Sequence, residues 1–181
     1  ARNATHSVAG GFPVAVKIDS DKVLHKTEKQ GVILNIKNQE ELKEAIAKIK
    51  NNFPGENFII QPMQNIKTEL ILGIKKDDIF GPVIIFGLGG IYTEVFKMVD
   101  FLLPPAGQKE IEEKLLESKI KFLFQETRGQ KPHNLKEIAG ILEDLNFLAQ
   151  ELPEIKELDI NPLLVYNDGK EAVAVDIKVI I

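Results

Sequence analysis

Residues 80–94, FGPVIIFGLGGIYTE, run from an apolar stretch (Val83, Ile84, Ile85, Phe86) into Gly87, Leu88, Gly89 and Gly90, and then reach a carboxylate at Glu94. A strand that ends in glycines lets backbone N–H groups approach a bound group more closely than side chains permit, and phosphate is the usual such group. Glycines also serve close strand packing and positive φ, so this stretch alone does not decide. Two further segments carry complementary chemistry. In FPVAVKI, residues 12–18, strand alternation puts Lys17 on the face opposite Val14, Val16 and Ile18, and a polar loop holding His25, Lys26, Gln30 and Gly31 follows. In DINPL, residues 159–163, and VAVDIK, residues 173–178, Asn161 and Asp176 are hard oxygen donors. Magnesium takes one or two such side chains beside phosphate oxygens and water. A strand lysine, a polar loop, a glycine turn and two oxygen ligands together suit a nucleoside triphosphate and its Mg2+.

Each of these residues also has a plainer explanation. Lys17 on spacing alone could be a solvated strand-edge lysine, and Asn161 a turn residue before Pro162. Asp176 is flanked by Val173, Val175 and Ile177, where a charge costs free energy unless it is paired or coordinated. His25 sits in a lysine-rich loop, where most histidines are merely solvated, yet a neutral imidazole is also a competent phosphoryl acceptor. His6 and His133 have no pattern around them and are expected to be solvated.

The elements that must position these groups follow from periodicity. Strand signals cover residues 12–18 and 32–36. Asn38, with Glu41 three residues on, resembles a capping box, and Leu42, Ala45, Ile46 and Ile49 recur at helical spacing. Residues 57–63 read as a strand, with Pro62 donating no ladder bond. Residues 68–74 and 82–86 read as paired strands joined by the charged turn Lys75, Lys76, Asp77 and Asp78, and residues 94–100 as a third strand. Helical period begins near Gln108, through Ile111 and Leu115, and again after Asn134, with Glu137 three residues later. Residues 155–159, 163–166 and 172–179 complete a hairpin around Asn167, Asp168 and Gly169. The fold class expected is α+β in two parts, residues 1–66 and 67–181.

The chain has 181 residues, 44% hydrophobic and 28% charged, with a net charge of -4. That is the composition of a globular protein with a real core. The negative charge argues against a general nucleic-acid partner, which demands a basic face. There is no cysteine, which excludes disulfides and thiolate metal sites and is compatible with a reducing compartment. The apolar stretch around residues 83–91 is broken by glycines and falls short of the ~20 residues of a membrane helix, so no membrane partner and a cytoplasmic location are expected. The first residue is not Met, and a strand of inner-strand character begins some ten residues in, so the chain is expected to be excised from something longer.

With those residues in view, the chain resembles the ATP-grasp domain, of β-subunit type, of ADP-forming (NDP-forming) acyl-CoA synthetases, relatives of succinyl-CoA synthetase. The matching motifs are FPVAVKI, HKTEKQGV, the block TELILGIKKDDIFGPVIIFGLGGIYTEVFKMVD and ELDINPLLV. The resemblance implies two α+β subdomains that grip a nucleotide, with an upstream helix and strand of the family's domain missing here. It implies that Lys17 contacts the phosphates and that the backbone around Gln61, Pro62 and Met63 pairs with the adenine edge. By the same resemblance Glu69 accepts from a ribose hydroxyl, Gly87, Gly89 and Gly90 form an anion pocket, and Asn161 and Asp176 hold Mg2+. His25 is implied as a phosphoryl relay and Asp159 as a residue that handles the phosphoryl group or orients a histidine. Arg128 falls where family members carry an RG-x-x-P stretch. The implied cofactors are ATP/ADP and Mg2+; the implied partner is a CoA-binding domain or α subunit that carries a phosphohistidine loop and brings the small carboxylate and CoA. One departure stands out: Gln30-Gly31 replaces a pair of glycines. Two other classes share the core motifs, a carboxylate-amine ligase and the ATP-grasp-like regulatory region of a protein lysine acetyltransferase.

Overall fold

Val14 to Asp19 form strand β1, whose first five residues are buried, because it lies in the middle of a three-stranded antiparallel sheet ordered β2-β1-β3. The computed structural model describes residues 11–20, 30–64, 68–90, 98–127 and 129–181, and the chain divides into two compact units, Ala1–Asn65 and Ile66–Ile181. In the first unit β1 pairs with β2 (Val32–Ile36) on one side and β3 (Asn57–Pro62) on the other. Val14 sits opposite Ile36 and Val16 opposite Ile33, so β2 carries one extra residue. Asn35 takes that bulge at φ 58°, in the left-handed region that Asn tolerates better than most residues.

Helix α1 (Gln39–Asn52) packs on one face of this sheet, where Leu42, Ala45 and Ile49 join Val14, Val16 and Ile36 in a single core. Its start is the expected capping box. Asn38 Oδ1 accepts from the Glu41 amide at 3.0 Å, while the Glu41 carboxylate accepts from the Lys37 amide and the Asn38 side-chain amide, both at 2.8 Å. These bonds satisfy N–H groups that the helix itself leaves open.

The second unit is a larger antiparallel sheet. Strands β4 (Thr68–Asp77), β5 (Gly81–Leu88), β6 (Val99–Leu102), β7 (Glu157–Val165), β8 (Val173–Ala174) and β9 (Ile177–Ile180) assemble in the order β6-β5-β4-β7-β8, with β9 also on β7. Leu70, Leu72 and Ile74 of β4 and Ile84 and Phe86 of β5 point to one face. There they meet Ile111 and Leu115 of α2 (Gln108–Glu117) and Ile138, Leu142 and Leu145 of α3 (Leu135–Glu151). Each such side chain, fully buried, contributes ~1.5–3 kcal/mol, so this face carries the unit's stability and the opposite face is left for other work. Asn134 caps α3 through the Glu137 amide at 3.4 Å.

Of the expected third strand, residues 94–97 lie outside the described residues and its end falls in β6, which pairs with β5. The structure revises two expectations. The stretches 155–159 and 163–166 are one strand, β7, that runs straight through Pro162. It does so by a bulge: Leu72 faces Ile160 but Leu70 faces Leu163, so an extra residue at Asn161 and Pro162 lets Leu158, Ile160, Leu163 and Val165 all reach the core. Asp176, expected inside an apolar strand, lies instead in the break between β8 and β9 and is half-buried, so its charge is not enclosed by that strand. Among the described residues no helix is long and apolar enough to cross a membrane.

Candidate functional site

Alternation from the core-facing residues fixes what the open face of the six-stranded sheet carries. Glu69, Ile71, Gly73 and Lys75 on β4 alternate with the buried Leu70, Leu72 and Ile74, and on β7 Asp159 alternates with Leu158 and Ile160. Gly73 pairs with Asp159, and Asp159 pairs with Lys178 of β9. At the bulge the Asn161 amide donates to the Asp176 carbonyl at 3.0 Å, and the Val175 amide donates to the Pro162 carbonyl at 3.0 Å. The β7 bulge and the β8–β9 break therefore lie side by side, and Asn161 and Asp176 are neighbours through the backbone.

The local field is acidic. Desolvation raises the Asp159 pKa above the ordinary carboxylate value, the charges of Glu157 and Asp176 add to the rise, and Lys178 opposes it. Lys178 Nζ donates to Glu157 Oε1 at 3.2 Å. A site that crowds carboxylates favours a cation, and hard oxygen donors in this number match magnesium rather than a softer metal. Among the described residues no group of three or more His, Cys, Asp or Glu is arranged for a metal, so a metal here would draw its other ligands from bound oxygens and water. Farther along the same face the surface turns apolar, in a groove of about 440 Å³ lined by Phe80, Val83, Ile85, Phe101 and Leu103 beside Lys75.

The glycine turn packs closely within the sheet. A Cβ on Gly87 would run into the Met98 carbonyl oxygen and come within 2.8 Å of Val99 Cα, and one on Gly89 would come within 3.2 Å of Glu69 Cβ. The Leu88 amide donates to Met98 O at 3.0 Å, and the Gly89 amide to Glu69 O at 2.8 Å. Gly90 has φ +65°, and the Glu69 Oε2 lies 2.9 Å from where its Cβ would stand. The amides of Leu88 and Gly89 are therefore engaged within the sheet, and Gly87 and Gly89 permit close approach of β6 and β4. Glu69 holds the turn by its backbone carbonyl and offers its side chain beside it. Gly73 was missed: its Cβ would meet the Leu158 carbonyl, and a glycine inside an apolar strand is the signal that could have found it.

In the first unit Lys17 is buried at 8% exposure, as far from a solvated edge lysine as a strand position allows. It faces Ile59 on β3, while Ala15 faces Gln61, so Lys17 and Gln61 share the face turned away from α1. The Met63 amide donates to Pro13 O at 2.9 Å. By the alternation of an antiparallel ladder, Ala15 and Gln61, two residues along, form a hydrogen-bonded pair as well. The amides of Gln61 and Met63 are thus engaged with β1. Gln61 Oε1 is buried without a hydrogen-bond partner. His25, Glu94 and Arg128 lie outside the described residues.

The whole chain, residues 1–181, matches the family described as ATP-grasp domain. It is 40% identical to the subunit beta of acetate–CoA ligase [ADP-forming] I of Pyrococcus furiosus, over 94% of this chain and 76% of that protein. It is 38% identical to the 4-hydroxybutyrate–CoA ligase [ADP-forming] of Nitrosopumilus maritimus, over 93% of this chain and only 25% of that longer protein. Its fold superposes at a TM-score of 0.80 on acetyl-coenzyme A synthetase 1 of Ca. Korarchaeum cryptofilum. That enzyme, 34% identical over 94% of this chain and 76% of the other, was solved with coenzyme A and Mg-AMPPCP and with its phosphohistidine segment pointing towards the nucleotide binding site. The chain thus spans three quarters of the separate beta subunit and a quarter of the longer ligase, and it belongs to the ATP-grasp domain family.

Proposed function

We propose that this chain is the nucleotide-binding part of an ADP-forming acyl-CoA synthetase, which interconverts acyl-CoA, ADP and phosphate with a carboxylate, CoA and ATP. The observation that carries the proposal is the meeting of Asn161 and Asp176 at the β7 bulge, inside an acidic field on the open sheet face. It is supported by 40% identity to an ADP-forming ligase subunit along nearly the whole chain. Asn161 and Asp176 hold Mg2+, which when bound neutralises phosphate charge during transfer. Lys17, on the central strand of the first unit, supplies a fixed point charge for the phosphates. Glu69 accepts from a ribose hydroxyl. Asp159, its pKa raised, holds a proton more readily than a solvated carboxylate and orients a histidine of the relay. His25 is the acceptor through which the phosphoryl group passes to a phosphohistidine segment on a CoA-binding domain or α subunit. That partner brings the carboxylate and CoA, and the reaction takes place in the cytoplasm.

The test is thermal melting with Mg-ADP, Mg2+ alone and ADP alone. At ligand 100 times its Kd, Mg-ADP should stabilise the chain by about 2.7 kcal/mol, with less from either component. Asn161→Ala and Asp176→Ala should each remove the magnesium-dependent share while leaving the melting point in plain buffer nearly unchanged. Equal shifts in the wild type and both variants would overturn the metal assignment. In the complete synthetase, label from γ-phosphate ATP should be acid-labile and alkali-stable, as a phosphoramidate is, and should fall in His25→Ala.

A further inference from the structure

Strand register orders the open face of the six-stranded sheet in rows. Lys178 faces Asp159, Asp159 faces Gly73, Gly73 faces Ile85, and Ile85 faces Phe101. One row therefore runs from the acidic site on β7 to the apolar groove on β5 and β6, with only a glycine between them. Two strand spacings separate Asp159 from Ile85, about 10 Å. The groove lies on the face that α2 and α3 do not cover, and Phe80 and Phe101 in its walls are 65% and 53% exposed. Contiguous apolar surface of this kind marks a contact site. The rim is charged. Lys76 Nζ donates to Pro153 O, and Asp77 Oδ1 accepts from the amides of Ile79 and Phe80, so the charge the rim offers is the Lys75 ammonium.

The size of the groove decides what can fill it. Eight residues line it, far fewer than the roughly 20–30 a side of a self-standing protein interface. A second copy of this chain would have too little to hold it there. A segment tethered to the chain needs no such area, because its effective concentration is already high. This chain makes up only 25% of the longer ligase it matches, and the rest of that polypeptide is tethered in this way. We propose that the groove seats a segment of the CoA-binding part of the synthetase, with large apolar side chains between the β5 and β6 walls and a carboxylate against Lys75. The inference rests on the assignment of this chain to such a synthetase. An apolar floor has nothing to offer a phosphoryl group, so the segment is an anchor and not the carrier. The apolar side chains supply the affinity, and the carboxylate fixes the register. Anchored there, the CoA-binding part is held beside the row that leads to Asp159.

The chain has no cysteine, so single thiols can report on cover. Leu103→Cys places one at the edge of the groove, and Phe147→Cys places a control on the exposed side of α3. Alkylation by iodoacetamide is followed by mass spectrometry in the chain alone and in the complete synthetase. At Leu103→Cys the complete synthetase should label at least about tenfold more slowly, as a desolvated anchor site requires. Adding Phe101→Ser or Lys75→Glu should restore the fast rate, and Phe147→Cys should label equally in both. A benzophenone maleimide on the Leu103→Cys thiol should cross-link a peptide of the CoA-binding part that carries a carboxylate among apolar residues. Equal labelling of Leu103→Cys with and without the rest of the synthetase overturns the inference. So does equal protection of Phe147→Cys, protection that neither second substitution relieves, or a cross-link that is absent from the CoA-binding part or falls on another copy of this domain. The Mg-ADP melting shift, read on the same proteins, keeps the two failures apart: its absence in the wild type sinks the nucleotide assignment, whereas lost protection with the shift intact sinks only the docking.

Discussion

Replacing Gly87 by Ala tests whether the glycines after β5 exist for the sheet or for a ligand. Gly87 lies in a strand without a positive φ, so by backbone conformation alone Ala should help: it restricts the unfolded chain and is worth roughly 0.5–1 kcal/mol in an open strand. Against that gain stands the Met98 carbonyl oxygen, which overlaps the place a Cβ would occupy, with Val99 Cα at 2.8 Å and Met98 C at 2.9 Å. All three are backbone atoms, and the same carbonyl is held by the Leu88 amide. No flexible side chain can swing aside, so β6 must shift away from β5. Overpacking of this kind costs about 1–3 kcal/mol, which outweighs the gain, and loosening of the Gly87–Val99 pairing adds to it. The net loss is ~1–3 kcal/mol, or about 3–10 °C in melting temperature for a chain of this size. Thermal denaturation followed by circular dichroism reads it directly. Affinity for Mg-ADP, measured well below the transition, should change less than twofold. An unchanged or raised melting point refutes the packing argument, and a large loss of affinity in a stable variant assigns the turn to a phosphate instead.

Asn38→Ala removes the acceptor of the α1 capping box and should cost about 1 kcal/mol, read as a lower urea midpoint with an unchanged slope. Gly73→Ala drives a Cβ into the Leu158 carbonyl and should lower the melting point as Gly87→Ala does, while also weakening magnesium-dependent stabilisation, since β4 holds β7 and its bulge in place. Asp159 has its folded pKa raised, so the folded chain binds the extra proton and stability falls as pH rises from the unfolded carboxylate value through the folded one; Asp159→Asn should therefore raise the melting point at neutral pH in chelator and change little at the acid end. Asp77 is the opposite case. The amides of Phe80 and Ile79 lower its pKa, so its contribution is present at neutral pH and lost as pH falls through the folded value, and Asp77→Ala should flatten that acid limb in a pH series of melting curves.

What was legible in the residues was local. Asn38 with Glu41, and Asn134 with Glu137, announce helix starts because a cap is a bond between residues three apart, and both form as expected. The face of Lys17 follows from a period of two, and the apolar character of β1 announced a strand with neighbours on both sides. What stayed hidden depends on partners distant in the chain. Whether Gly87 spares room for a phosphate or for Met98 cannot be told until β6 is known to lie beside β5. The continuity of β7 through Pro162 was hidden too, since a proline in a strand ordinarily argues for its end. Only the register with β4 shows that one added residue rescues the core alternation.

The same bulge sets the surroundings of Asn161 and Asp176, the proposed metal ligands. Asp176 was singled out on the cost of a charge in an apolar strand, and the structure places it in a break where no such cost arises. The chemistry nevertheless converges there for a geometric reason. A bulge in β7 leaves a residue out of the ladder's regular pairing, and the neighbouring chain must break between β8 and β9 to stay bonded to it, through Asn161 N to Asp176 O and Val175 N to Pro162 O. Two irregularities locked together in this way place Asn161 and Asp176 outside the regular ladder while the flanks of β7 stay anchored in a core of Leu158, Ile160, Leu163 and Val165. Rigid flanks around a locally irregular pair are what a small, geometrically demanding cation requires. Restoring regular pairing, by deleting Asn161, leaves Leu158, Ile160, Leu163 and Val165 alternating onto the core face and should abolish magnesium-dependent stabilisation, as should Asn161→Ala.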